Sequence, residues 1–137
     1  MAAPARALLT ELPKGHEFST TTFSLTRDGV SRYLDAVEDA NGVYLERGLA
    51  PPLAVAALAL GSLLEVIELP AATLHIGQEV DVHAGVPLDT PLTLSGRIAQ
   101  RSQRAGMIIS IIEFDVTPEG SSSAALTGRS TVMVPPP

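Results

Sequence analysis

Pro51-Pro52-Leu53-Ala54-Val55-Ala56-Ala57-Leu58-Ala59-Leu60-Gly61-Ser62-Leu63-Leu64 is the stretch whose reading decides the fold. Its two prolines suit the first turn of a helix, where the missing N–H has no intrahelical partner to lose. Beyond them only Ser62 is polar, so a helix here has no solvent face and has to be surrounded by other structure. The apolar run from Leu49 to Leu64 is about 16 residues long and is broken by Pro51, Pro52 and Gly61. Crossing a bilayer takes roughly 20 clean residues. The stretch therefore reads as a buried helix, closed at Glu65 to Pro70.

Downstream the period changes to two. Ile76, Gln78, Val80, Val82 and Ala84 oppose Gly77, Glu79, Asp81 and His83, while Leu92, Leu94, Gly96 and Ile98 oppose Thr93, Ser95 and Arg97. Such alternation marks half-buried strands. Met107 to Val116 is apolar on both faces before turning mixed at Glu113 and Asp115, as a central strand would be. A last strand, Leu126 to Val134, ends at Pro135-Pro136-Pro137. Turn compositions at Gly85 to Asp89, Arg104-Ala105-Gly106 and Pro118 to Ser121 imply short links and an antiparallel, meander-like sheet.

Upstream, Glu17 to Thr26 is rich in β-branched and aromatic residues and reads as a strand. A helix follows near Asp28, with Val30, Tyr33, Leu34 and Val37 at three- and four-residue spacing. Thr26 or Asp28 can cap it, and Asn41-Gly42 is the expected stop. Residues 1–14 carry no period and read as a lead-in to one domain over 15–137. An Ala-rich helix followed by antiparallel strands is buried most economically when the curved sheet wraps around it. That is the α+β architecture of a hot-dog fold.

Composition narrows the partners. The 137 residues hold 9 Lys+Arg against 15 Asp+Glu, a net charge of −6, and only 18% are charged, against roughly 25% in ordinary soluble chains. With a mean hydropathy of +0.26, little polar material is available to cover the surface, which points to an oligomer. Three Phe, two Tyr, no Trp and no basic run argue against nucleic acid. The absence of cysteine excludes disulfides, thiolate nucleophiles and Cys-type zinc sites. Glu11 and the lack of a sustained apolar run near the N-terminus argue against an export signal, and no membrane span is expected. A cytoplasmic location is the default expectation.

The segment Tyr33-Leu34-Asp35-Ala36-Val37-Glu38-Asp39-Ala40-Asn41-Gly42-Val43-Tyr44 resembles a motif of the MaoC-like (R)-specific enoyl-CoA hydratases and hydroxyacyl dehydratases. That motif runs Tyr, four residues, Gly-Asp-x-Asn-Pro-x-His. The resemblance extends from about Gly15 to Val134. Leu74 to Gln78, Gly96-Arg97 and Gly128-Arg129-Ser130-Thr131 look like the N-terminal half of double-hot-dog dehydratases, the half that lacks the catalytic histidine.

In active members, the resemblance implies, Asp and His hold a water that adds across the C2–C3 double bond of an acyl thioester, or leaves in reverse. Here Asp39 stands at the carboxylate position and Tyr44 at that of the histidine. A phenol with a pKa of about 10 is a poor base at neutral pH. The His-Gly pair that precedes the family's central helix, an oxyanion donor, is replaced by Leu49-Ala50-Pro51-Pro52.

The resemblance thus implies a non-catalytic subunit that shapes a channel for an acyl-CoA or acyl-carrier-protein thioester. It would stand in a homodimer or in a heteromer with a catalytic hot-dog subunit. Asp39 is the implied catalytic residue, vestigial or active, and Asn41, Tyr44, Leu53, Val55 and His75 are the implied substrate contacts. Two alternatives stay open: a self-sufficient homodimeric hydratase using Asp39, and a hot-dog acyl-CoA thioesterase or acyl-binding protein.

Each of these residues also has a plain structural use. Asp39 and Asn41 suit capping and turns, Tyr44 a packed position, and His75 a hydrogen-bonded strand end. Glu79, Asp81 and His83 share a solvated strand face, so no metal is expected. Arg97, Arg101 and Arg104 lie near one hairpin, where they solvate it or meet the phosphates of CoA or an acidic carrier. No Gly-x-Gly-x-x-Gly, Walker or Gly-x-Ser-x-Gly pattern occurs, and no cofactor is expected.

Overall fold

Thr26 begins the first regular helix by local chemistry, in a computed structural model that describes residues 6–136. Its hydroxyl accepts from the Gly29 N–H at 3.0 Å and so caps α1 (Arg27–Ala36). The helix stops before the expected Asn41-Gly42. Glu38 takes a left-handed conformation with φ 58°, its N–H returns to the Asp35 carbonyl, and the Asp39 N–H reaches the Leu34 carbonyl at 2.9 Å. This is a Schellman closure with glutamate where glycine is usual.

Three short elements were not expected. Helix α2 (Val43–Arg47) ends at Gly48 with φ 65°. Strand β1 (Ala7–Leu8) pairs in parallel with β3 (Ile67–Glu68), just beyond α3 (Pro52–Leu64). The segment read as a lead-in is therefore part of the packing from Ala7 onward, with Leu9 and Leu12 both buried. The strand expected over Glu17 to Thr26 is split: residues 15–18 exchange backbone hydrogen bonds with the next long strand, and β2 (Thr21–Phe23) pairs separately with it.

Strands β4 (Leu74–Val82), β5 (Leu92–Arg104), β6 (Met107–Pro118) and β7 (Leu126–Val134) match the four alternating segments. The antiparallel sheet has the order β2-β5-β6-β7-β4. Only β5, β6 and β7 form the expected meander. The link from β4 to β5, residues 83–91, passes to the other side of the sheet rather than closing a hairpin. Three inter-strand spacings of about 4.8 Å lie well within the reach of such a link, and buried Val86 and Leu88 anchor it.

The core lies between α3 and one face of this sheet. Ala54, Val55, Ala56, Ala59 and Leu63 are buried with Leu92, Leu94, Ile98, Ile112, Phe114, Val116 and Leu126. Close approach needs a missing side chain: a Cβ on Gly96 would stand 3.0 Å from a Leu63 methyl. The wrap is incomplete, which corrects the expectation of a helix covered all round. Leu53 and Leu58 of α3 are 63% and 47% exposed, and Leu74, Ile76 and Val82 on β4 are about half exposed. A single sheet covers one side of the helix and leaves the other open.

Bulges shift the faces of two strands. In β5 the register slips between Ile98 and Gln100, which turns Arg101 to the core side opposite Ser110, where its guanidinium donates to the Thr10 carbonyl at 3.0 Å. In β4 the slip lies between His75 and Gly77, so Ile76 interrupts the alternation expected for it. Among the described residues, no helix is long and apolar enough to cross a membrane.

Candidate functional site

The end of α1, the turn after it and the start of α3 border an open cavity of about 510 Å³. The Schellman closure at Glu38 brings the chain back toward α3 directly after the helix. Asp39 Oδ1 then accepts from the Asn41 N–H at 2.9 Å, and Asn41 Oδ1 accepts from the Val43 N–H at 3.1 Å. These two successive turns launch α2 and bring Tyr44 to the cavity. Tyr33, Val37, Glu38, Asp39, Tyr44, Pro51, Pro52 and Leu53 form its walls.

Of the residues singled out in the sequence, the fold thus gathers Asp39, Tyr44 and Leu53. Asn41 is exposed beside them and shapes the turn. Val55 is fully buried in the core and is not part of the cavity wall. His75 is exposed on the edge strand β4, in register with Val132, and is likewise not part of that wall. Asp39 therefore fills its plain turn-making role and faces the cavity as well.

A second cavity of about 350 Å³ adjoins the first and was not foreseen. Leu25, Thr26, Gly29, Tyr33, Ala54, Ala57 and Leu58 line it together with Ser24. Tyr33 belongs to both cavities. The small residues Gly29, Ala54 and Ala57 leave the space between α1 and α3, a signal that becomes visible only once the two helices are seen to face each other.

Chemically, the pair of cavities offers the carboxylates of Glu38 and Asp39 and the phenols of Tyr33 and Tyr44 at one end, and hydrocarbon at the other. No histidine lines either. His83 sits elsewhere, with Nε2 3.2 Å from the Thr127 hydroxyl. Among the described residues no three His, Asp or Glu side chains converge as a metal-ligand set.

The arginines do not gather into one anion site. Arg97, Glu113, Arg129 and Glu79 alternate in sign across four registered strands. Arg97 meets Glu113 at 2.5 Å and Asp115 at 3.6 Å, while Arg129 meets Glu113 at 3.4 Å and Glu79 at 3.7 Å. Arg101 is committed to Thr10.

No protein-family model matches the sequence, and no curated protein is significantly similar to it. Solved structures are similar over nearly the whole chain. A monoamine oxidase regulatory protein from Archaeoglobus fulgius superposes with a TM-score of 0.80 at 11% identity, covering 100% of this chain and 99% of that one. The (R)-hydratase from A. caviae involved in PHA biosynthesis gives 0.70 at 18% identity, over 93% and 98%. The truncated HadBC complex of Mycobacterium tuberculosis, a 3R-hydroxyacyl-ACP dehydratase, gives 0.71 at 18% identity, over 88% and 96%.

The chain has the MaoC-like hot-dog fold. At identities this low the fold is shared while the site has to be argued from its own residues. Within the MaoC-like fold, Asp39 and Tyr44 lie on the segment that follows the first helix, directly before the central helix α3. The open side of that helix and the β4 edge remain uncovered in the single chain.

Proposed function

We propose that the chain is a MaoC-like hydratase/dehydratase family protein that serves as the non-catalytic, substrate-channel subunit of an (R)-3-hydroxyacyl-CoA or hydroxyacyl-ACP dehydratase assembly. One observation carries this reading: the cavity keeps the carboxylate of Asp39 but presents Tyr44 where the resembled motif has histidine. Hydrating an enoyl thioester needs a group that takes a proton from water near neutral pH and a second that orients the water or returns a proton. A phenol supplies the first less well than an imidazole does. What remains suits binding: a polar mouth, an apolar interior, and a scaffold whose open face accepts another hot-dog chain.

The partner is a second copy or a catalytic hot-dog subunit that brings the intact Asp and His. The uncovered α3 face and the apolar side chains along β4 support such an assembly. One of the similar structures is itself a two-component complex. The loss of histidine at position 44 also supports placing the chain with the half of double-hot-dog dehydratases that lacks it.

Purified chain mixed with crotonyl-CoA and, separately, with acyl-CoA and a thiol reagent tests the reading. Saturable acyl-CoA binding with neither hydration nor thiol release is the expected result, with hydration appearing once a catalytic hot-dog subunit is added. Hydration by the chain alone at an enzyme-like rate, abolished by Asp39→Ala, would make it a self-sufficient homodimeric hydratase. Release of free thiol would make it a thioesterase, and a chain that binds but never supports a partner's hydration is an acyl-binding protein.

A further inference from the structure

We propose that Tyr33 determines how long an acyl chain the protein accepts, by dividing the two cavities, and that the second cavity holds the far end of the chain. The inference rests on the acyl-thioester reading above and goes beyond it by assigning a residue and a length preference.

Tyr33 is the one residue common to the walls of both cavities. On one side lie Asp39 and Tyr44, the groups suited to a thioester head. On the other lies a hollow of about 350 Å³ walled chiefly by hydrocarbon. The polarity of the site thus changes across one aromatic ring.

The hollow is built into the helix start and is not a loose end of packing. Gly29 contributes its N–H to the Thr26 cap, and a Cβ there would stand 3.1 Å from the Thr26 hydroxyl, so position 29 stays small for the sake of the cap. Across from it, Ala54 and Ala57 stay small on α3.

A short acyl group ends on the Asp39 side of the ring. A longer one has to pass Tyr33, and each methylene that it then buries tightens binding by about fourfold in Kd. The ring sets that passage, and Ala57 sets the depth behind it.

Titration calorimetry of the purified full chain with butyryl-CoA, octanoyl-CoA and dodecanoyl-CoA tests this through ratios of Kd. Wild type is expected to prefer octanoyl to butyryl by tenfold or more. Ala57→Phe, which fills the second cavity from a partly open position, should reduce that preference at least tenfold. Tyr33→Ala should shift the ratio toward dodecanoyl-CoA by about fivefold, while Tyr33→Phe, which keeps the ring, leaves it within twofold of wild type. Should Tyr33→Ala fail to fold, Tyr33→Leu and Ala57→Phe decide the matter. Equal ratios across the folded variants would overturn the role of Tyr33 and leave the acyl-thioester reading standing. A wild type that binds none of the three overturns both.

Discussion

Phe114 on β6 stands in register with Gly128 on β7, and its ring fills the space that a side chain at position 128 would need. On the other flank its partner is Gly96, which makes room for Leu63 of α3. One large residue between two absent side chains lets the helix lie close on the sheet. Gly128→Ala is therefore expected to destabilise by about 1–3 kcal/mol through overpacking. Adding Phe114→Leu should recover part of that loss, so the pair deviates from additivity in urea unfolding. Simple addition of two losses would count against the packing described.

Ser110 is fully buried on β6, and its hydroxyl has no hydrogen-bond partner among the described residues. Ser130, equally buried, donates to Gln78 Oε1 at 2.6 Å. Removing the first hydroxyl relieves a desolvated group, while removing the second breaks a bond. Ser110→Ala should stabilise and Ser130→Ala destabilise, each by about 1 kcal/mol. The urea midpoint, read at constant m-value, reports both signs.

Four non-glycine residues hold left-handed conformations, Glu38, Ala72, Asp89 and Ala105, and the first and last of them offer clear tests. Glu38 closes α1 with φ 58°, and Ala105, with φ 53°, precedes Gly106 in the two-residue turn between β5 and β6. Positive φ at both turn positions favours Asn-Gly. Glu38→Gly and Ala105→Asn are each expected to stabilise by about 0.5–1 kcal/mol. A thermal midpoint that falls in either variant contradicts this reading.

The β4 edge, with Leu74, Ile76 and Val82 half exposed, calls for a covering chain. Light scattering at micromolar concentration should give the wild-type chain a mass of at least twice 14.3 kDa. The double variant Ile76→Lys, Val82→Lys should run as a monomer with its fold retained by circular dichroism. A monomeric wild type rejects the prediction.

Period carried most of the fold. The four long strands and α3 could be placed within a few residues because their hydrophobic patterns persist over many positions. What escaped had no pattern to read. The closure of α1 uses glutamate instead of glycine at its left-handed position, so the local signal pointed to Asn41-Gly42 further on. The β1–β3 pair is two residues long. The placement of β4 beside β7 depends on where a link travels, which local composition does not encode. Of the candidate site, Asp39 and Tyr44 were singled out by motif spacing and Leu53 by its place at the start of the apolar helix, and all three line one cavity. The second cavity was not legible, because alanines and a glycine acquire meaning only when two helices bring them face to face.

The crossing link of residues 83–91 also bears on the order in which the sheet forms. β5, β6 and β7 are joined by neighbouring reversals, so their pairing closes short loops and can form early. Of the four long strands, β4 is expected to dock last, since it pairs over the longest sequence separation among them and keeps one edge unpaired by its own chain. Sub-global opening should start there, which makes β4 the fastest-exchanging of the long strands in deuterium labelling. A partner that adds a strand would slow the exchange of those same amides, so labelling read along β4 would report assembly one residue at a time.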